Sequence, residues 1–112
     1  MKYTYYKGII AESFAKMFLR LKFYKILKSR DKSHLGEIDI VARRGNTIIF
    51  VEVKFRDKKS ELPESIRKRQ IDRIKNSAIR YQPLIEKEKL IGRFDVIYVS
   101  WFFIKHIKNA FL

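Results

Sequence analysis

Residues 37–55 read EIDIVARRGNTIIFVEVKF, and this stretch decides the fold. Glu37 to Arg43 and Thr47 to Phe55 are rich in β-branched and aromatic residues, with Arg44-Gly45-Asn46 between them. Two strand-forming runs joined by a Gly-Asn step predict an antiparallel hairpin. Side chains on a strand alternate faces. In the second run Ile49, Val51, Val53 and Phe55 form one face, and Ile48, Phe50, Glu52 and Lys54 the other. In the first run Ile38, Ile40 and Ala42 are expected on one face, with Glu37, Asp39 and Val41 opposite.

If Gly45-Asn46 is a two-residue loop, Arg44 pairs with Thr47, and the same register carried along the strands sets Asp39 across from Glu52. Cross-strand neighbours hold their Cβ atoms about 5 Å apart. Lys54 lies two residues on, on the same face. A longer loop with an even shift moves the pair to a diagonal. A one-residue slip puts the carboxylates on opposite faces and charge among core residues. A face carrying Glu52 and Lys54 among Ile48 and Phe50 is too apolar for a solvated one. Two carboxylates held close repel, so one tends to bind a proton. A divalent cation removes that conflict, because Mg²⁺ takes one or two carboxylates and completes its shell with water and phosphate. Asp39, Glu52 and Lys54 are therefore candidate catalytic residues, with the carboxylates on metal and Lys54 beside the attacking water or the phosphate.

Outward from the hairpin, Lys7 to Leu21 has helical spacing through Ala11, Phe14, Phe18 and Leu21. Phe23 to Lys28 alternates as a short strand, and Ser29 to Leu35 reads as a polar loop. Asp57 to Pro63 is a charged loop. Glu64 to Tyr81 predicts a second helix with Ile66, Ile71, Ile74, Ala78 and Tyr81 buried, Pro63 at its entrance and Pro83 at its end. Arg93 to Ser100 is a strand, and Trp101 to Leu112 a last short strand or apolar tail. Helix, three strands, helix and one or two strands predict an α/β fold, a mixed sheet with helices packed against it. One domain spanning 1–112 is expected.

On the first helix Glu12 borders the side holding Ala11, Ala15 and Leu19, where a carboxylate needs a partner or a metal. Gln70 lies between Ile66 and Ile74, placed to hydrogen-bond water or phosphate, or to satisfy a core polar group.

The chain carries 26 Lys and Arg against 12 Asp and Glu, a formal net charge of +14. Its ordinary use is to attract a polyanion. Arg67, Lys68, Arg69 and Arg73 on the second helix, with Arg43, Arg44, Arg56, Lys58 and Lys59, form a candidate phosphate-binding set. The basic residues are spread over strands and loops as well as one helix, which argues against a membrane surface. The chain has no cysteine, so disulfides and thiolate metal sites are excluded. No apolar run is long enough to span a bilayer and no signal-peptide pattern opens the sequence, so a cytoplasmic protein is expected.

GEIDIVARRGNTIIFVEVKFR, with AESFAKMFL before it and RFDVI and IKHIKNAF after it, resembles the YraN-like endonuclease-type family of the PD-(D/E)XK superfamily. The sheet of that family is similar to that of archaeal Holliday-junction resolvases. The resemblance implies a restriction-endonuclease-like core binding Mg²⁺ or Mn²⁺. It implies Asp39, Glu52 and Lys54 as the D…E-x-K triad, Glu12 as the helix carboxylate on the metal, and Glu37 as a family residue. Ile38 stands where the superfamily's name has Pro, and Gln70 where many relatives carry Lys. The function expected is a metal-dependent nuclease acting on DNA, branched and single-stranded forms included. The competing expectation is a nucleic-acid-binding module with a vestigial site. The sequence leaves homodimerisation open.

Overall fold

The computed structural model describes residues 2–56 and 68–110, with side chains from residue 7 onward. Helix α1 (Lys2–Leu21) is followed by strands β1 (Lys25–Ser33), β2 (Gly36–Arg44) and β3 (Thr47–Phe55). Then come α2 (Lys68–Ala78), a 3-10 turn (Ile79–Tyr81), α3 (Gln82–Glu88), β4 (Ile91–Val99) and β5 (Ile104–Ile107). The strands form one mixed sheet in chain order: β3 and β4 run parallel, and the other neighbours run antiparallel. This is the expected α/β architecture, compatible with a restriction-endonuclease-like fold.

The helices cover opposite faces. Ala11, Ala15 and Leu19 of α1 pack on Ile40, Ala42, Ile49, Val51, Ile97 and Val99. Ile74 and Ala78 of α2 pack on Ile38, Val41, Ile48 and Phe50, with Leu84 and Ile85 of α3 beside them. Strand β3 is buried from both sides, which explains its nearly unbroken apolar run. Each fully buried Ile or Val there contributes about 1.5–3 kcal/mol. No helix among the described residues is long and apolar enough to cross a membrane.

The structure departs from the sequence expectations at several elements. The buried stripe of α1 is Ala11, Ala15 and Leu19, whereas Phe14 and Leu21 are exposed, because small residues let the helix approach the sheet closely. The polar segment from Ser29 to Ser33 is strand, its pairs running from Ser29↔Ile40 to Ser33↔Gly36. Its polarity is that of an edge strand whose side chains find ionic partners. Pro83 does not end a helix but sits in the first turn of α3, where its missing N–H costs nothing. The expected loop at Asp57 to Pro63, and Glu64, Ile66 and Arg67 of the expected helix, lie outside the described residues.

Strand β2 does not alternate as expected. Ile38 packs on the α2 side while Ile40 and Ala42 pack on the α1 side. The change falls at Asp39. On the neighbouring strand Arg30, between the pairs Ser29↔Ile40 and Asp31↔Ile38, adopts a left-handed φ of 50°, uncommon for a side-chain-bearing residue.

Candidate functional site

The Gly45-Asn46 turn sets the register as expected: Arg44 pairs with Thr47, and the ladder runs to Ile40↔Val51. It stops there. At the next position the Asp39 carboxylate itself accepts the Val53 N–H, at 2.8 Å. The Glu52 carboxyl lies close enough to act on Asp39 through hydrogen bonding and charge, and both line one cavity. The two carboxylates therefore meet, at the point where the regular pairing of β2 and β3 has ended.

Burial is the main force on this pair. It pushes the Asp39 carboxyl up to about 8, and the hydrogen bond and charge of Glu52 add to the rise. The Val53 N–H and the Lys54 ammonium pull the other way without cancelling it. An acid raised this far by burial, with a like-charged neighbour adding to the rise, has the character of a functional group.

A cavity of about 130 Å³ opens over the pair, lined by Glu37, Asp39, Glu52, Gln70, Arg73 and Ile74. That volume holds several water molecules. Lys54 Nζ donates to Gln70 Oε1 at 3.4 Å, so Gln70 lies between the lysine and the cavity. Glu37 joins Asp39 in the same wall.

Gly36 explains how α2 comes so close. A Cβ there would stand 2.6 Å from the carbonyl oxygen of Arg73, at a backbone φ of +151°. Only glycine lets the helix backbone rest on β2 at that point. This close approach sets Gln70 and Arg73 over the carboxylates. The glycine belongs to the G-E-I-D block, but its packing role has no signal in the sequence.

Glu12 stands off from the cavity lining. Its Oε1 accepts Arg30 Nε at 2.9 Å, which gives the carboxylate the partner that its position requires. Burial raises its carboxyl, the Arg30 hydrogen bond opposes the rise, and the nearby charge of Asp39 adds to it. Glu12 is thus within electrostatic reach of the pair while held by another residue. Among the described residues no three acidic or histidine side chains are grouped as a metal cage.

The basic set divides by position. Arg73 lines the cavity, and Lys68 and Arg69 are exposed on the same helix. Arg43 and Arg44 lie at the hairpin end of the sheet, away from the carboxylates. Arg43 bonds Glu88 at 2.6 Å, and Arg44 stacks 4.4 Å from the Tyr24 ring. Arg56 donates to the Phe55 carbonyl at 2.8 Å. Lys58, Lys59 and Arg67 lie outside the described residues. Arg80, also on the basic helix segment, is held by Asp31 and Ser77.

The profile of the group described as Uncharacterised protein family UPF0102 matches residues 11–99, a span that contains Glu12, Asp39, Glu52, Lys54 and Gln70. The chain belongs to this family. It is the YraN-like group of the sequence resemblance. A UPF0102 protein of Sulfurihydrogenibium sp. (strain YO3AOP1) is 40% identical over 110 residues, covering 94% of this chain and 93% of that protein. One from Thermodesulfovibrio yellowstonii is 42% identical over 108 residues, covering 93% and 94%. One from Bartonella tribocorum is 36% identical over 110 residues, covering 96% and 85%. The names of these UPF0102 relatives state no activity.

Proposed function

We propose that this UPF0102 protein is a metal-dependent nuclease that hydrolyses phosphodiester bonds in DNA. The observation that carries the reading is the Asp39 and Glu52 carboxyls side by side in the wall of a cavity of about 130 Å³, with Gln70 in the same wall and Lys54 bonded behind it. The donor set suits a hard divalent cation. Two neighbouring carboxylates, one raised by burial and further by the other, hold a charge conflict that Mg²⁺ or Mn²⁺ between them would relieve. Such a cation would neutralise phosphate charge and lower the pKa of bound water.

The chain's own groups account for the rest. Asp39 is fixed by the Val53 N–H, so one carboxylate oxygen is aimed before any ligand arrives. Lys54 sets a cation behind Gln70, close enough to favour charge developing on a phosphoryl oxygen in the cavity. Gln70 orients the Lys54 ammonium and offers an amide to water or phosphate. Arg73, Lys68 and Arg69 present positive charge to a nucleic-acid backbone from the helix above.

A second reading has its own support. Glu12 is engaged by Arg30, and a site with two carboxylates fits a binding module whose catalytic role has lapsed. Incubating the pure protein with linear, single-stranded and four-way-junction DNAs, with and without Mn²⁺, separates the two. Metal-dependent cleavage supports the nuclease. Salt-sensitive binding without cleavage of any of them supports the module.

A further inference from the structure

The loop between β4 and β5 shows two large aromatic side chains to solvent, Trp101 at 51% and Phe102 at 90% exposure. The loop is held in place. Ser100 N–H donates to the Phe103 carbonyl at 2.9 Å, and Phe102 N–H donates to Ser100 Oγ at 3.2 Å. Trp101 packs edge-on against Phe55, with ring centroids 5.3 Å apart. Between this loop and the outer face of α1 lies an apolar groove of about 390 Å³, lined by Phe14, Phe18, Trp101, Phe102, Phe103 and their neighbours. An exposed apolar patch of this kind marks an interaction site.

We infer that this groove and the Trp101–Phe102 loop form a stacking platform for the unpaired bases of single-stranded nucleic acid. Charge chooses the occupant. Among the described residues no acidic side chain lines the groove. Lys22 Nζ lies 5.0 Å over the Phe18 ring, Lys7 Nζ lies 4.9 Å over the Phe55 ring, and Lys105 is exposed on β5. A second copy would bring another +14 chain against these cations, whereas a polyanion is drawn to them. Aromatic faces beside a cationic path are how proteins hold single strands, because every base offers a π-face. In a closed duplex those faces are stacked on one another and unavailable.

Position links the platform to the carboxylate site. Phe55 follows Lys54 in β3, and the parallel register pairs Lys54↔Tyr98 and Phe55↔Val99, so the loop that begins at Ser100 leaves the sheet beside the end of β3. A strand stacked on Trp101 and Phe102 is therefore held on the α1 side of the sheet, at the same sheet end as Glu52 and Lys54. The carboxylate cavity opens on the α2 side, so a flexible unpaired strand has to pass around the end of β3 to reach it. The inference rests on the nucleic-acid reading above and narrows the substrate to DNA with an unpaired segment.

Trp101 is the chain's one tryptophan, so its emission reports the platform directly. The test is a titration in EDTA, without divalent metal, using an oligo-dT of about 16 nucleotides, an abasic oligomer of equal length and a blunt duplex. Oligo-dT should quench Trp101, and the abasic oligomer should bind without quenching. The Trp101→Ala, Phe102→Ala double variant should lose about tenfold or more in affinity for oligo-dT while duplex affinity moves less than twofold. Trp101→Leu should behave as the loss and Trp101→Tyr should restore binding, which separates a lost π-face from a damaged fold. Equal loss on duplex and single strand, or no loss on either, overturns the platform. Concentration-dependent self-association abolished by the double variant, with oligo-dT binding intact, assigns the face to a second copy and overturns it too. Failure of the nuclease reading looks different: the quench persists and no DNA is cut when metal is restored.

Discussion

The Val53 N–H donates to the Asp39 carboxylate at 2.8 Å, so a side chain takes the bond that the next rung of the β2–β3 ladder would otherwise make. The ladder ends at Ile40↔Val51, and alternation along β2 breaks at the same residue. One local irregularity therefore does two things. It turns Asp39 toward Glu52, and it opens the space that Gln70 and Arg73 close from above.

This geometry makes stability depend on pH in a definite direction. The Asp39 carboxyl is raised to about 8 in the fold, against about 3.9 in an unfolded chain. Its contribution is therefore fully present below about pH 4 and is lost as pH rises through about 8, at a slope of at most about 1.4 kcal/mol per pH unit. Asp39→Asn removes the titration. The urea midpoint should be lower at pH 9 than at pH 6 for wild type and nearly level for the variant, over and above background changes measured in Glu88→Gln. A wild-type decline that Asp39→Asn fails to remove would show that the burden lies on another group.

The hairpin was legible in the sequence because period-2 alternation and a Gly-Asn turn fix register without help from distant residues. That register brought Asp39 and Glu52 together on paper. The break at Asp39 was not legible, since it depends on Arg30 and Val53 from neighbouring strands. Strand β1 was misread at Ser29 to Ser33 because its polar side chains satisfy themselves through tertiary partners: Asp31 binds Arg80 and Tyr81, and Arg30 binds Glu12. The face of α1 was misread because Phe14 and Leu21 suggest burial by hydrophobicity, while close packing on a sheet favours Ala11 and Ala15. Trp101 and Phe102 read as tail or strand, and only the fold shows them exposed beside the end of β3.

Gly36 supplies a second prediction. Its missing Cβ leaves room for the Arg73 carbonyl, and an added methyl at 2.6 Å from that backbone atom has no flexible neighbour to displace. Gly36→Ala should destabilise the protein by about 2 kcal/mol or more. The helix must also shift, so Gln70 and Arg73 lose their places over the carboxylates. Gly45→Ala is the contrast: it carries a positive φ but meets nothing within 4 Å, so its cost is conformational alone and should leave the cavity intact. Urea midpoints of both variants, with divalent-cation binding measured beside them, check the difference.

Asp95 is a carboxylate with no exposed surface, and it predicts a structural loss. It is fully buried, takes two bonds from Arg93 at 2.8 Å, receives the Asn109 N–H at 3.0 Å, and lies 2.8 Å from His106 Nε2. Burial alone would raise its carboxyl, but His106, Arg93 and the Asn109 N–H outweigh it and hold it down to about 2. Its stabilisation is therefore present above about pH 4 and is lost as pH falls through about 2, the reverse of Asp39. Asp95→Asn strips Arg93 of its anion and should cost about 3–5 kcal/mol. Loss of β5 protection in hydrogen exchange should accompany it, because His106 and Asn109 tie the C-terminal segment to β4. A variant as stable as wild type at pH 7 would show that the network carries no net stabilisation.

The decisive prediction concerns cleavage, because each site residue has a separate place in the geometry. Asp39 and Glu52 are in contact and share the conflict that a cation would relieve, so either one alone leaves the cation half held. Asp39→Asn and Glu52→Gln should each lower metal-dependent cleavage by on the order of a thousandfold, and the double variant should be little worse, since groups acting as a unit are non-additive. Both single variants should also lose the rise in Tm that Mn²⁺ gives a protein that binds it only when folded. Lys54→Ala should match them in cleavage but keep the Mn²⁺-dependent rise, because its ammonium is not a ligand. Gln70→Ala should fall between Lys54→Ala and wild type, as it loses the partner of Lys54 and not the charge. Glu12→Gln separates two roles. Held by Arg30 and only in electrostatic reach of Asp39, it should cost less than about tenfold. A thousandfold loss would instead mean that Glu12 leaves Arg30 to join the other carboxylates when metal is bound. Wild-type cleavage in Glu52→Gln would move the chemistry away from the β2–β3 splay altogether.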